Sequence, residues 1–428
     1  MKRSNNTIPW TLAYWPEGLR LYLQDGVKWR DKNDNFVLEQ VLRLGDLDNV
    51  HRLLNYECPV DVNIFIQASN ALDQYSGQDG REIMKSLATL LARQRSLSAS
   101  DLAKPGLMSA SQSFYTSEYD DLYKFSSLTS GVAECLWTAG FRDIAVETNG
   151  RTPLWEHVIH LKKNIKESID LISWFAEKGA KLNSVHPKFQ AAPAHLLIRR
   201  LADAALRLRN QFQGIELWLE FPFIMDIILL PTRDECSCHC SPGGCTPLIC
   251  VIQEAVRNSE RSLWSDYADI VTQESMEHNQ FLDEALDSIY KIAEGNKQSR
   301  PWIAGSTLRG LTFSALNLTH TCCYKVGSYA NGYNLEDFLT QEDIYDIHFS
   351  ESRDIKFLDS LVDEFERKWE QYKSTFSGFI KEVWKPRMNG RVSKSSEMND
   401  IEELKGIIEA GVVLHPFGPE ESADEAIF

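Results

Sequence analysis

The segment from Gly150 to Asn183, GRTPLWEHVIHLKKNIKESIDLISWFAEKGAKLN, constrains the fold of this chain more than any other. It opens on Thr152 and Pro153. A threonine hydroxyl can accept a hydrogen bond from an orphan helix-start amide, and proline fits the first turn, where no N–H is needed. Leu154 begins a buried face. Further on, Ile165, Ile169, Ile172 and Ala176 recur at three- and four-residue spacing, so they share one face of a second helix. Leu171, Trp174 and Phe175 widen that face on both sides, and a helix apolar over so wide an arc must be covered by neighbours. Gly179 suits the left-handed residue that ends a helix, and Asn183 favours a turn. The segment reads as a turn, two antiparallel helices and a loop back, and it cannot bury its apolar face alone.

Neighbouring segments of the same kind are therefore expected, and pieces of the pattern recur. The second-helix ending returns at Leu19–Val27, at Gly45–Leu54 running on to Asp61-Val62-Asn63, at Val132–Phe141 and at Leu404–Val412. The opening returns as Cys245-Thr246-Pro247-Leu248 and, more weakly, as Ala192–Leu197. Irregular spacing between these echoes implies degenerate repeats separated by long inserts. The expected fold is all-α: a helical solenoid with long inserts and a C-terminal helical hairpin over 336–384. On that hairpin Phe357, Leu358, Leu361, Phe365 and Trp369 form a packing stripe.

The chain divides accordingly. Residues 1–70 carry N-terminal repeat-like helices. Residues 71–130 form an irregular insert, in which a helix over 81–95 precedes a Ser-rich loop containing Ser96, Ser98, Ser100, Ser109, Ser111 and Ser113. Residues 131–233 hold the most regular repeats. Leu196 to Glu220 reads as a helix with Arg199, Arg200, Arg207 and Arg209 on solvated polar sides. A Cys-rich loop and helical region follow over 234–335. Residues 336–417 hold the C-terminal helices, a linker over 389–398 and a terminal repeat-like helix, and 418–428 form an acidic tail.

The sharpest chemical feature is Cys236-Ser237-Cys238-His239-Cys240-Ser241-Pro242-Gly243-Gly244-Cys245. Soft thiolates with imidazole suit zinc. In an extended segment alternate residues share a side, so Cys236, Cys238 and Cys240 would face together while His239 points away. The Gly243-Gly244 turn would return Cys245 to them. A second cluster, His320-Thr321-Cys322-Cys323, lies far along the chain. One structural zinc drawing on Cys236, Cys238, Cys240, Cys245, His320 and Cys322 would staple the loop to the helix after residue 305. Thiols without metal remain open as the alternative. A disulfide scaffold is disfavoured by nine cysteines, an odd number spread over 428 residues.

A catalytic reading would begin from Cys238 beside His239. Sequence neighbours on a strand rarely face one another, and no third group is implied. The chain lacks a Gly-x-Gly-x-x-Gly, a Walker loop, a His-Glu-x-x-His and a Gly-x-Ser-x-Gly. An enzyme is not expected; a cysteine-based enzyme or a redox- or metal-responsive protein is the alternative. The net charge of −16 argues against nucleic acid and anionic membranes as partners, because phosphates need a basic surface. Met1-Lys2-Arg3 is followed by polar residues, and the longest apolar run, Phe221–Leu230, is too short to span a bilayer. An intracellular protein, cytoplasmic or nuclear, is expected.

The Thr-Pro-Leu segments resemble ankyrin repeats. More narrowly, the chain resembles the fungal ankyrin-repeat proteins of unknown function. The residues that carry this are Asp234–Ser241 with Gly244–Leu248, then Leu311-Thr312-Phe313 with Leu318–Cys323, and Trp384-Lys385-Pro386-Arg387-Met388. The resemblance implies an intracellular protein–protein interaction scaffold, binding a protein partner through its turn tips and concave helix face. In this chain that surface would include Thr148, Asn149, Arg151 and Trp155. The chain departs from the repeat pattern in two ways. Trp155 stands where the usual histidine sits, and the segment between helices is about six residues longer than in a 33-residue repeat.

Overall fold

The computed structural model describes residues 10–24, 35–56, 58, 60–72, 78–102, 122–147, 151–161, 164–186, 191–207, 221–254, 290, 300–321 and 340–389. These residues are mostly helical, with no strand among them. One isolated antiparallel bridge pairs His186 with Ala191. The chain forms two compact units. The first gathers Met1–Cys238, Pro242–Glu254 and Thr321–Phe338; the second gathers His239–Ser241, Ala255–His320 and Leu339–Phe428.

The first unit begins with a short 3-10 helix, Trp10–Tyr14, followed by α1 (Pro16–Gln24), α2 (Asn35–Leu44), α3 (Leu47–Asn55), α4 (Val62–Leu72) and α5 (Gln78–Leu102). It continues with α6 (Ser130–Thr138), α7 (Pro153–Ile159), α8 (Ile165–Glu177), α9 (Pro193–Arg207) and α10 (Pro222–Ile228). A further helix, α11, covers 247–254. Helices pair with the next but one: α1 with α3, α2 with α4, α3 with α5, α6 with α8 and α7 with α9. Sequential partners α2/α3, α4/α5, α5/α6, α7/α8 and α9/α10 also pack. Helical hairpins laid side by side produce this double set of contacts.

The Gly150–Asn183 segment forms as its residues require. The Thr152 hydroxyl accepts from the Trp155 amide at 3.3 Å and starts α7. Asn164 caps α8 in the same way through the Glu167 amide. On α8 the residues Ile165, Ile169, Leu171, Ile172, Trp174 and Phe175 are buried. Tyr123 stacks on Trp174 at 5.8 Å, and the Trp174 indole donates to Glu134 at 2.6 Å. Gly179 ends the hairpin at φ +95°, the left-handed region. Asp61, which the repeat pattern places at a second-helix ending, instead opens α4, its carboxylate accepting from the Ile64 amide at 2.8 Å.

Two other expectations change. The helix expected over 81–95 runs from Gln78 to Leu102 and packs on α3, α4 and α6. Ser96 sits inside it, where its hydroxyl donates to the Ala92 carbonyl at 3.0 Å and so satisfies its polar group within the helix. Ser109, Ser111 and Ser113 lie outside the described residues. Arg199 is not on a solvated face: it is 8% exposed, donates to Gln253 at 2.9 Å and lies 3.7 Å from Glu254. Burial of this arginine is tolerable because α11 brings an acceptor and a counter-charge to it. The stretch 208–220, including Arg209, lies outside the described residues.

The second unit contains α12 (Arg300–Ala315), α13 (Gln341–Ser350), α14 (Ser352–Gln371) and α15 (Phe376–Phe379). The expected hairpin over 336–384 resolves into α13 and α14, separated by Glu351, with α14 also packed on α12. Leu358, Leu361 and Phe365 of the stripe are buried, and Trp369 packs edge-on against Phe376 and Phe379. A π-helical turn, Ile380–Trp384, precedes Pro386, and the helix then continues through 389. Proline within a helix lacks an N–H and crowds the carbonyl four residues back, and a widened turn just before it relieves both problems. Trp384 at the end of that turn donates to Thr312 of α12 at 3.0 Å. The linker beyond 389, the terminal repeat-like helix and the acidic tail lie outside the described residues. Among the described residues no helix is long and apolar enough to cross a membrane.

Candidate functional site

The Cys-rich loop is organised by a residue that precedes it. Asp234, 5% exposed, uses one carboxylate oxygen, Oδ1, to accept from the amides of both Cys236 (3.2 Å) and Cys245 (2.7 Å). Its own amide donates to the Cys245 carbonyl at 3.0 Å. The turn between them is glycine-dependent. Gly244 sits at φ +109°, and a Cβ there would come within 2.0 Å of the Asp234 carbonyl oxygen. The two ends of the loop are thus drawn together, and the Cys236 and Cys245 thiols touch at 3.4 Å.

Beneath this loop, α9 and α11 supply a buried polar chain. Gln253 donates through Nε2 to the Cys245 sulfur at 3.7 Å, and Arg199 fixes the other end of that amide. His195 of α9 donates through Nε2 to the Cys245 carbonyl at 2.8 Å. Thr246 starts α11 by accepting from the Ile249 amide at 3.4 Å, as its Thr-Pro-Leu opening implies.

The candidate ligands are sorted in a way their spacing does not reveal. In the first unit a carboxylate oxygen of Asp234 and the sulfurs of Cys236 and Cys245 all lie within 4.8 Å of one another. In the second unit the Cys240 sulfur and a His320 ring nitrogen meet the same limit. Groups of this kind can hold a metal ion. Cys236 therefore joins Asp234 and Cys245, because the loop between them is a tight turn and not an extended strand. Cys238 is buried, two residues before Cys240, and Cys322 lies outside the described residues. His320 rests on Phe313 with ring centroids 4.5 Å apart, and Arg309 of α12 donates to the His239 carbonyl at 2.9 Å.

A cleft of about 270 Å³ opens beside the Gly150–Asn183 segment. Its lining includes Glu147, Thr152, Trp155, Lys181, His186 and Pro193. Trp155 is 2% exposed and stacks on His186 at 5.2 Å, so its indole forms a wall and does not protrude. Arg151 pairs with Glu156 at 3.3 Å. Thr148 and Asn149 lie outside the described residues. His157 donates to the Tyr123 carbonyl at 2.7 Å and ties α7 to the preceding segment.

Sequence reasoning missed Asp234, Gln253, His195 and His157. Asp234 carried a usable signal: an aspartate two residues before a cysteine in a Gly-rich loop forms an Asx turn. The other three act through partners distant in sequence. No family model, curated protein or solved structure matches the chain.

Proposed function

We propose that this chain is an intracellular protein–protein interaction scaffold of ankyrin-repeat type, braced by structural zinc. The pairing of alternate helices in the first unit carries the reading. Stacked hairpins create a long surface of turn tips, and such surfaces bind proteins. The cleft beside Arg151 and Trp155 is the binding site we assign, with Glu147 and Lys181 offering one charge of each sign to a partner. The zinc is assigned to Cys240 and His320 of the second unit, a thiolate and an imidazole whose ligand atoms lie within 4.8 Å of one another. Thiolate and imidazole are the ligands that structural zinc favours. Catalysis is not part of the proposal.

Two measurements test this. Affinity capture with the full chain, repeated with Arg151→Glu and Lys181→Glu, should retain one protein in stoichiometric amount and lose it in both variants while the melting temperature stays unchanged. A chain that retains nothing above background overturns the scaffold reading. Metal analysis of purified protein should find zinc that disappears in Cys240→Ser. Metal-free protein with fully reactive thiols would replace the zinc reading with the cysteine-redox alternative.

A further inference from the structure

We infer that Asp234, Cys236 and Cys245 form a second zinc site, distinct from the one assigned to Cys240 and His320. A single ion shared by all the cysteines is the simplest expectation of the spacing, but the first unit holds a set of three ligand groups of its own. The three ligand atoms of the first unit converge within 4.8 Å. The fit can be judged from the sulfurs alone. Zinc–sulfur bonds of about 2.3 Å at a tetrahedral angle set two thiolates about 3.8 Å apart. The Cys236 and Cys245 sulfurs stand 3.4 Å apart, so they need to part by only about 0.4 Å. To form a disulfide they would have to close by about 1.4 Å.

The surroundings are built for a bound sulfur. Cys245 is fully buried, yet an amide N–H from Gln253 points at its Sγ, and Arg199, itself 3.7 Å from Glu254, holds that amide in place. Outer-shell donors of this kind orient and tune a metal-bound thiolate. Asp234 fixes the backbone of both cysteines with Oδ1, and so holds its carboxylate beside the two thiols. Two thiolates and a carboxylate cannot ionise together in a site this enclosed without a dication between them. Three protein ligands leave the fourth position to water, and the half-buried Cys236 gives the ion its way in.

The test is zinc content of the full chain, by native mass spectrometry and elemental analysis, for the wild type and for Cys236→Ser, Cys245→Ser and Cys240→Ser. The expected values are two zinc ions in the wild type and one in each variant. Gln253→Leu, which leaves every ligand in place, should weaken one of the two ions by about 10- to 100-fold and leave the other unchanged. Cobalt substitution supplies a second readout: thiolate-to-cobalt absorption should fall by two thiolates' worth in Cys236→Ser/Cys245→Ser. A wild type with one zinc that Cys240→Ser removes and Cys236→Ser leaves in place overturns this site while the Cys240–His320 site stands. One zinc with the opposite dependence upholds this site and removes the other. Wild type recovered with Cys236 and Cys245 joined as a disulfide and no metal on Asp234 also overturns it.

Discussion

Gly179 and Gly244 have the same backbone sign and face different surroundings. At Gly179, φ +95°, nothing lies within 4 Å of an added Cβ, so only conformational strain opposes a side chain. Gly179→Ala should cost about 1 kcal/mol in urea denaturation. At Gly244 the same substitution also meets the Asp234 carbonyl at 2.0 Å. It should cost more than Gly179→Ala and displace Cys245, read out as lost zinc. Glu134 provides a pH test. The Trp174 indole first, and Lys178 second, hold its carboxyl below the ordinary 4.5. A lowered carboxyl contributes stability that is fully present above about pH 4.5 and is lost as pH falls through the lowered value. The melting temperatures of the wild type and Glu134→Gln should therefore differ more at pH 7 than at pH 3. Thr152 and Gly179 are readable from sequence because a cap and a helix stop act within a few residues. The role of Arg199 is not, because Gln253 lies 54 residues away. An arginine looks solvated until its partner is placed.

At the level of elements, the helix that the spacing describes best is α8, whose apolar residues at three- and four-residue intervals face α6 and α7. Periodicity reports burial directly, so α8 and the α14 stripe emerge from sequence alone. The extent of α5 does not: Ser96, which suggests a loop, lies inside the helix and turns its hydroxyl back to the Ala92 carbonyl. The π turn ahead of Pro386 is likewise invisible, since proline signals a break and the chain widens a turn instead. That turn presents Trp384 to Thr312, a fully buried residue of α12 that also donates to Leu308 at 2.6 Å. Thr312→Val should cost about 1–3 kcal/mol, because the indole N–H keeps its burial and loses its acceptor. Trp384→Phe together with Thr312→Val should cost less than the sum of the two, and a double-mutant cycle in guanidinium measures the difference.

For the whole molecule, helical content was legible and the approach of Cys236 to Cys245 was not. Five ligand candidates within ten residues suggest one ion, but a carboxylate outside the motif and two glycines within it decide which sulfurs meet. The acidic balance of −16 was legible from composition. It predicts no measurable binding to single-stranded DNA or to anionic vesicles at 150 mM salt, a figure of roughly physiological ionic strength; fluorescence anisotropy and vesicle sedimentation check both. Zinc chelation should lower the melting temperature of the wild type and leave that of Cys236→Ser/Cys240→Ser unchanged. Asp234 has one more consequence. Its Oδ1 holds the amides of Cys236 and Cys245, which belong to a stretch without helix. Loop amides ordinarily trade their hydrogens with water quickly, whereas these two should trade slowly and at matching rates. Deuterium uptake at the pair then reports how often the loop opens, and Asp234→Ala should release both amides together.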